Sequence, residues 1–397
     1  MIKAVSIYTT VIDDINLACR ELKNQLDEKL PLKKNSVGIV QCDPEFLENG
    51  IMAPLHNILG IPLVGGTTVS VATNDVIGDL IFSMLVLTSD EVEFVASRTT
   101  GLVDDYAAAI KSSVEVSLET SKKPLKMALI FPTVTDNENF PGDCYVEAVE
   151  SICGNVPIFG TLSVNDALGK FERSMSVLNG DIFKRELSYV LLFGDINPRY
   201  FMASIPSESG SNISDASAVI TRVDGHIVQE INNIPAAEYF ESIGFAANGK
   251  FNSGATLIPV IVDTRKESES NSCFVRAMVD FNEDGFVAFR GKVPEGARVT
   301  FGSLPNAADI LTATEEIIGK ISKEEDINAA LFLSCIVRQL TIGSDPLREL
   351  ALIKDSLRPG IPFIASYSGG EIAPIGYDID KNPINSFHNC SLIICLL

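Results

Sequence analysis

Ile361-Pro362-Phe363-Ile364-Ala365-Ser366-Tyr367-Ser368-Gly369-Gly370-Glu371 is the stretch whose reading decides the fold. An apolar residue and a proline lead into a short apolar run, and small and hydroxyl residues end it. The chain writes similar phrases at Ile61-Pro62-Leu63-Val64-Gly65-Gly66-Thr67-Thr68 and at Val156-Pro157-Ile158-Phe159-Gly160-Thr161-Leu162-Ser163. Proline is tolerated as the first residue of a strand, and small residues at the far end let backbone or ligand approach closely. Each phrase therefore reads as a strand ending in a tight turn, where α/β proteins tend to place ligands.

Outward from each phrase the pattern lengthens. Apolar runs precede the three copies at Val37-Gly38-Ile39-Val40, Met127-Ala128-Leu129-Ile130-Phe131 and Ala330-Leu331-Phe332-Leu333. A further strand and an amphipathic helix lie before each run, with Val5/Val37, Phe94/Met127 and Val299/Ala330 spaced by 32, 33 and 31 positions. Units this long exceed ordinary solenoid repeats and read as duplicated supersecondary modules. The expected fold class is α/β (mixed α+β): repeated β-α-β-α-β-β units form mixed sheets flanked by helices, in two domains. The first domain is expected over 1–205, with units at about 1–90 and 91–195. The second is expected over 215–397, with a hairpin-rich segment 215–295 and a third unit 296–397. If the units surround a centre, their strand ends should wall a common hollow.

Local signals support the elements. Asp13 or Asp14 can cap a helix through about Leu30, with Ile15, Ala18, Cys19, Leu22 and Leu26 at helical spacing before Pro31. Asp43-Pro44-Glu45 places Asp at an N-cap and Pro at the first helical position. Asn179-Gly180 is a hairpin signal, read as joining 171–178 to 188–193. Asp224-Gly225 reads as a second hairpin turn, and Asn282 to Gly285 as a third. The polar stretches 207–214 and 265–272 read as exposed loops, the former as a linker.

Composition limits the function. Lys+Arg 31 against Asp+Glu 52 gives a formal charge of −21, which disfavours nucleic acid and anionic membranes as partners. No apolar run approaches the ~18 residues of a membrane span, and no secretory signal pattern opens the chain, so a cytoplasmic protein is expected. The eight cysteines contain no C-x-x-C pair and read as reduced and mostly structural. Three histidines, His56, His226 and His388, offer little to a metal. Phosphate-loop, zinc-protease and serine-hydrolase motifs are missing.

The ordered set of segments resembles the FIST proteins, tandem FIST N and FIST C sensory domains of signal transduction. The resemblance is carried by the Pro62-to-Thr68 turn, 156–166, Asn233-Ile234-Pro235-Ala236, Ser334-Cys335-Ile336-Val337-Arg338, Tyr367-Ser368-Gly369-Gly370-Glu371-Ile372 and Phe387-His388-Asn389. It implies a sensor that binds a small ligand such as an amino acid and passes the signal to a separate output protein such as a kinase; with no complete catalytic motif in the chain, binding without covalent chemistry is expected. Some relatives resemble haem-based nitric-oxide sensors working beside a histidine kinase, which gives a second reading. The family's first turn commonly ends in Gly-Glu; aligned on proline, Ser70-Val71 stand there against Gly370-Glu371 in the third copy.

The candidate ligand residues are Arg338, Tyr367, Ser368, Gly370, Glu371, Thr67, Thr68, Cys335, His388 and Asn389. A zwitterion needs a cation and an anion at short range, and Arg338 and Glu371 could supply them. The blander alternative has Glu371 capping local N–H groups and Arg338 pairing with Asp345 or Glu349. A Cys-dependent enzyme, with Cys335 as nucleophile and His388 as base, is a third reading. The expectation is no enzymatic activity, no cofactor and no catalytic residue or metal.

Overall fold

The structure is a computed structural model that describes residues 1–100, 105–133, 141–165, 173–204, 213–263, 273–302 and 305–397. The expected linker and loop at 207–214 and 265–272 fall almost wholly outside the described residues.

The chain opens with β1 (Lys3–Thr9), α1 (Ile15–Lys29), β2 (Asn35–Cys42), α2 (Pro44–Glu48), α3 (Met52–Leu59), β3 (Leu63–Thr67), β4 (Val71–Thr73), β5 (Ile77–Gly78) and β6 (Phe82–Ser89). Helix α1 starts because the Asp14 side chain accepts from the Leu17 N–H, and Ala18, Cys19, Leu22 and Leu26 turn inward. Asp43 caps α2 with Pro44 at its start. Next come β7 (Glu93–Arg98), α4 (Tyr106–Leu118), β8 (Leu125–Pro132), α5 (Gly142–Cys153), β9 (Ile158–Thr161), β10 (Ser176–Leu178), β11 (Asp181–Phe183), β12 (Leu187–Phe193) and β13 (Arg199–Ala203).

A strand-rich segment follows: β14 (Ile213–Asp224), β15 (Ile227–Ile231), β16 (Ile234–Pro235), α6 (Ala236–Ser242), β17 (Ala246–Ala247), β18 (Lys250–Phe251), β19 (Val260–Asp263), β20 (Cys273–Arg276), β21 (Met278–Phe281), β22 (Val287–Phe289) and β23 (Arg298–Gly302). The chain closes with α7 (Ala307–Ile321), β24 (Ala330–Cys335), α8 (Ile336–Ile342), α9 (Arg348–Ser356), β25 (Phe363–Ser368), β26 (Glu371–Tyr377), β27 (Pro383–His388) and β28 (Leu392–Leu396). This is a mixed α+β fold with several mixed sheets.

Three six-stranded sheets follow one order: β1-β6-β2-β3-β10-β11, β7-β12-β8-β9-β26-β27 and β13-β28-β24-β25-β4-β5. In each, one parallel pair spans a helical crossover, namely β2/β3, β8/β9 and β24/β25, and the other pairings are antiparallel. Each sheet is completed by a hairpin from another part of the chain. Strand β4 pairs with β25, β10 with β3 and β26 with β9, so the hairpins pass round a ring of three. One apolar core draws on all three sheets, among them Val37, Ile39, Leu85, Met127, Leu129, Val190, Leu331, Leu333 and Ile393. The helices cover the outer faces in three separate clusters.

Two expectations are corrected here. The Asn179-Gly180 turn exists, with Asn179 in the left-handed region, but it joins β10 to β11; residues 188–193 lie in a different sheet. The 187–193 run is strongly apolar because it lies between β7 and β8, central to a sheet rather than half of a hairpin. The third unit was expected to begin near Val299. Instead Val299 sits in the strand-rich segment, paired with β14 and β19. The edge strand beside β28 is β13, which comes before that segment, so 213–302 is inserted between a first strand and its helix α7.

The inserted segment forms its own sheet, in the order β20-β19-β23-β14-β15-β22-β21 with β16 beside β15. It has a separate core of Phe240, Phe289, Phe301, Val260 and Val299. Asp224↔Ile227 closes its first hairpin around Gly225 and His226. One anchor to the body is Arg276, only 2% exposed, which pairs with Asp143 of α5 at 2.8 Å and donates to the Phe387 carbonyl at 2.8 Å.

Candidate functional site

The three strand ends do meet, and among the described residues they bond directly to one another. Val164 N–H donates to the Thr67 carbonyl at 3.1 Å, and Leu162 N–H to the Gly370 carbonyl at 3.0 Å. The Gly369 N–H returns to the Leu162 carbonyl at 2.9 Å, and the Thr68 hydroxyl donates to the Tyr367 carbonyl. The Thr67 hydroxyl accepts from Met175 N–H at 3.0 Å. Thr67 and Thr68 are thus spent on main-chain partners. Gly370, at φ +135°, is needed where it stands: a Cβ there would lie 2.4 Å from the Phe387 ring.

The polar residues collect beside the third strand end, between its sheet and the helices. Arg338 comes from α8, Glu349 from α9, Thr314 from α7, Ser334 from β24, and Tyr367 and Ser368 from β25. Arg338 and Glu349 are both fully buried and pair at 2.6 Å. Arg338 Nε donates to the same Glu349 oxygen at 2.9 Å, and its Nη2 also donates to Thr314 at 2.9 Å. The second Glu349 oxygen accepts from Ser334 at 2.8 Å. Of the two partners expected for Arg338, Glu349 is the one found. These bonds offset much of the pair's desolvation cost, and one guanidinium nitrogen is left over.

Two polar atoms of this cluster stand out. Arg338 Nη1 and the Tyr367 hydroxyl are buried and have no hydrogen-bond partner among the described residues. Burial, then the Glu349 charge, pushes the Tyr367 phenol well above its ordinary pKa, yet the two groups lack hydrogen-bond geometry.

Glu371 opens β26 and is fully buried. Ser391 donates to one carboxyl oxygen at 2.9 Å, and the Ser368 hydroxyl lies 3.1 Å from the other. Burial raises its pKa well above the carboxylate range, against the pull of Ser391, Ser368 and Arg338. Glu371 therefore takes its side-chain bonds from serine hydroxyls, where the blander alternative had local N–H groups. The network runs on, because Ser368 also lies 3.3 Å from the Ser334 carbonyl.

Cys335 is buried beside this carboxyl. Burial, then the charges of Glu371 and Cys390, holds its thiol well above the ordinary value, the reverse of what a nucleophile needs. His388 is Glu371's register partner across β26 and β27. Its Nε2 lies 3.0 Å from the Ala373 carbonyl, and burial lowers its pKa to about 4. That nitrogen is committed to a carbonyl, and burial keeps the ring neutral. Asn389 accepts from Ala277 N–H at 3.1 Å and so ties the inserted sheet to the body.

Arg338, Tyr367, Ser368, Glu371 and Cys335 are thus brought together. Thr67, Thr68, Gly370, His388 and Asn389 surround them in structural roles. Ser334, Thr314 and Ser391 were missed. A hydroxyl within an apolar strand, as in Ala-Leu-Phe-Leu-Ser334-Cys335, is the signal that could have found the first.

Residues 11–234 match the FIST N domain model and residues 235–374 the FIST C domain model. No curated protein matches the chain. The two matched segments abut between Ile234 and Pro235, inside the inserted segment, and together reach from α1 to the strand that carries Glu371. On that evidence the chain belongs to the FIST family, whose domains are sensory modules of signal transduction thought to bind small ligands.

Proposed function

We propose that the cluster beside the third strand end is the ligand site of this sensor, and that its ligand is an amino acid or a similar small metabolite. The observation that carries this reading is the pair of buried donors without partners, Arg338 Nη1 and the Tyr367 hydroxyl. Buried polar groups are almost always hydrogen-bonded, so such orphans call for an occupant. A ligand carboxylate would accept from both. A ligand ammonium would take Glu371, whose carboxyl would give up its proton to bind it.

Binding is read as non-covalent, because Cys335 is held as a neutral thiol and His388 is turned to a carbonyl. We read the three sheets as copies of one module, the third of which carries the charged residues of this cluster. Output is assigned to a separate protein such as a kinase, and the chain to the cytoplasm. Among the described residues no helix is long and apolar enough to cross a membrane.

The test is a melting-temperature panel of amino acids and small metabolites on wild-type protein and Tyr367→Phe. A ligand at a hundred times its Kd should add ~2.7 kcal/mol to the wild type, and Tyr367→Phe should lose most of that gain. A flat wild-type response across the panel would sink the reading.

A further inference from the structure

We propose that the cleft at the start of β25 is a second ligand site, which takes a small phosphorylated polyol such as a sugar phosphate on Lys354 and Arg358. It stands apart from the Arg338–Glu371 cluster and does not rest on the reading given to that cluster.

The three sheets are clamped in one way. Each exchanged hairpin brings an asparagine whose side-chain oxygen accepts from the N–H of the residue after the strand's proline. Asn179 takes Leu63 at 3.2 Å, Asn385 takes Ile158 at 2.8 Å and Asn74 takes Phe363 at 3.1 Å. Asn385 and Asn74 also donate to the carbonyl of the residue before the proline, Val156 at 3.0 Å and Ile361 at 2.8 Å.

What lies beside the clamp differs. Seven positions before the proline stand Leu55, Glu150 and Asp355. Leu55 is buried in an outer core, and Glu150 closes on the clamp itself, accepting from Asn385 at 3.0 Å. Asp355 is exposed and, among the described residues, makes no such bond; Asn74 is engaged by Ser6, Phe363 and Ile361 instead. A cleft of about 340 Å³ opens at this third clamp, lined by Asn74, Lys354, Asp355, Arg358, Gly360 and Phe363. That volume suits a small metabolite. Its lip is a turn closed by the Ile361 N–H on the Arg358 carbonyl at 3.4 Å, with Pro359 second and Gly360 third at φ +88°. A Cβ on Gly360 would meet nothing within 4 Å.

The charges then choose the ligand. Four and eight positions before the proline, the first copy has Ile58 and Pro54 and the second Cys153 and Val149; the third has Arg358 and Lys354. Arg358 Nη2 donates to the Glu324 carbonyl at 2.7 Å, which anchors the guanidinium. Among the described residues its other nitrogens and Lys354 Nζ have no partner. Two cations on one cleft, in a chain of charge −21, suit a phosphate monoester better than a single carboxylate. Asp355, the acid of the wall, repels a second anionic group and accepts from a ligand hydroxyl. The acid beside Asn74, Asp75, is already paired with Lys29 at 2.9 Å. A phosphate at one end and hydroxyls at the other describe a sugar phosphate.

The experiment is calorimetric titration of the full chain with glucose-6-phosphate, ribose-5-phosphate and glycerol-3-phosphate, and with glucose and inorganic phosphate as references. The proteins are wild type, Arg358→Gln, Arg358→Lys, Lys354→Gln and Tyr367→Phe. At least one phosphorylated polyol should bind wild type about tenfold or more tightly than either reference. Arg358→Gln and Lys354→Gln should each weaken it by about tenfold, the scale of one charged hydrogen bond. Arg358→Lys should recover part of the loss. Tyr367→Phe should change nothing, because roughly 13 Å of strand separates Phe363 from Tyr367. No binding by any of the three, inorganic phosphate binding as tightly as the best of them, or an affinity untouched by both charge removals overturns the proposal. Binding lost in Tyr367→Phe places these ligands in the other cluster and overturns it as well. Failure at the cleft leaves the amino-acid panel, and the cluster it tests, unaffected.

Discussion

The first and third strand ends share a backbone plan and differ in what they do with it. Both follow a proline, lie parallel to a preceding strand and accept a hairpin from elsewhere in the chain. At the first, Thr67 and Thr68 spend their hydroxyls on neighbouring main chain, and the residue opening the hairpin is apolar Val71. At the third, Glu371 opens the hairpin, and Tyr367 and Arg338 keep buried donors unpaired. One end is satisfied by its own fold and the other is left with unmet polar demand. Unmet demand inside a protein is what a binding site consists of before its ligand arrives.

The sharpest way to break the comparison is to remove the counter-charge that only the third end requires. Glu349→Gln leaves Arg338 buried without its anion and should cost about 3–5 kcal/mol. Thr67→Val at the first end should cost only about 1 kcal/mol, one hydrogen bond's worth. Urea unfolding of the two variants reads the difference. Equal losses would mean that the Arg338–Glu349 pair is not the third end's special burden.

The pH dependence of stability sharpens it further, because the register partners Glu371 and His388 pull in opposite senses. Burial holds His388 at about 4 in the folded state, against 6.5 ordinarily. The unfolded chain takes up that proton first, so stability should fall by about 3 kcal/mol as pH drops from 6.5 to 4. The raised Glu371 carboxyl binds its proton more tightly when folded, so its contribution falls as pH rises above 4.5. His388→Gln should flatten the acid limb, and Glu371→Gln should lift stability at neutral pH. Unfolding midpoints measured between pH 4 and 8 separate the two; an acid limb unchanged in His388→Gln would refute the assignment.

A glycine tests whether the backbones are interchangeable. Gly65 has φ +148°, and a Cβ on it would lie 2.0 Å from the Val40 carbonyl oxygen. Three residues after its own proline, the third copy carries Ala365. Gly65→Ala should therefore cost about 2–3 kcal/mol through strain and overpacking, while Ala365 already tolerates its methyl group. A shift of melting temperature below that scale would show that the first strand can relax to the geometry of the third.

These contrasts also mark how far the chain could be read unaided. Proline-led strands, the Asp14 and Asp43 caps and the Asn179-Gly180 turn are local features, written within a few residues, and they were legible. The ring of exchanged hairpins was not. Which sheet a short strand such as β4 joins depends on packing between distant segments, and Val71-Ala72-Thr73 does not encode its partner. The spacing that suggested Val299 as a first strand arose because the insert supplies a buried strand of its own at a similar distance. At the site, Arg338 and Glu371 stood out as charges next to apolar strands. Ser334, Thr314 and Ser391 did not, because an isolated hydroxyl costs little to read as core.

The smallest expected change is the most discriminating. Tyr367→Phe removes one oxygen, and that oxygen has no hydrogen-bond partner. A buried hydroxyl without a partner carries a desolvation cost, so its removal should leave the protein unchanged or stabilise it by about 1 kcal/mol. Thr68→Val is the same kind of change at the first strand end, but there the hydroxyl donates to the Tyr367 carbonyl. It should destabilise by about 1 kcal/mol and leave ligand affinity nearly intact. Stability and binding thus move in opposite patterns at the two ends: Tyr367→Phe keeps the fold and loses ligand, while Thr68→Val loses some stability and keeps ligand. Parallel melting curves with and without ligand report both quantities at once. If Tyr367→Phe proves as destabilising as Thr68→Val, its hydroxyl has a structural partner in the free protein, and the third end is as self-sufficient as the first.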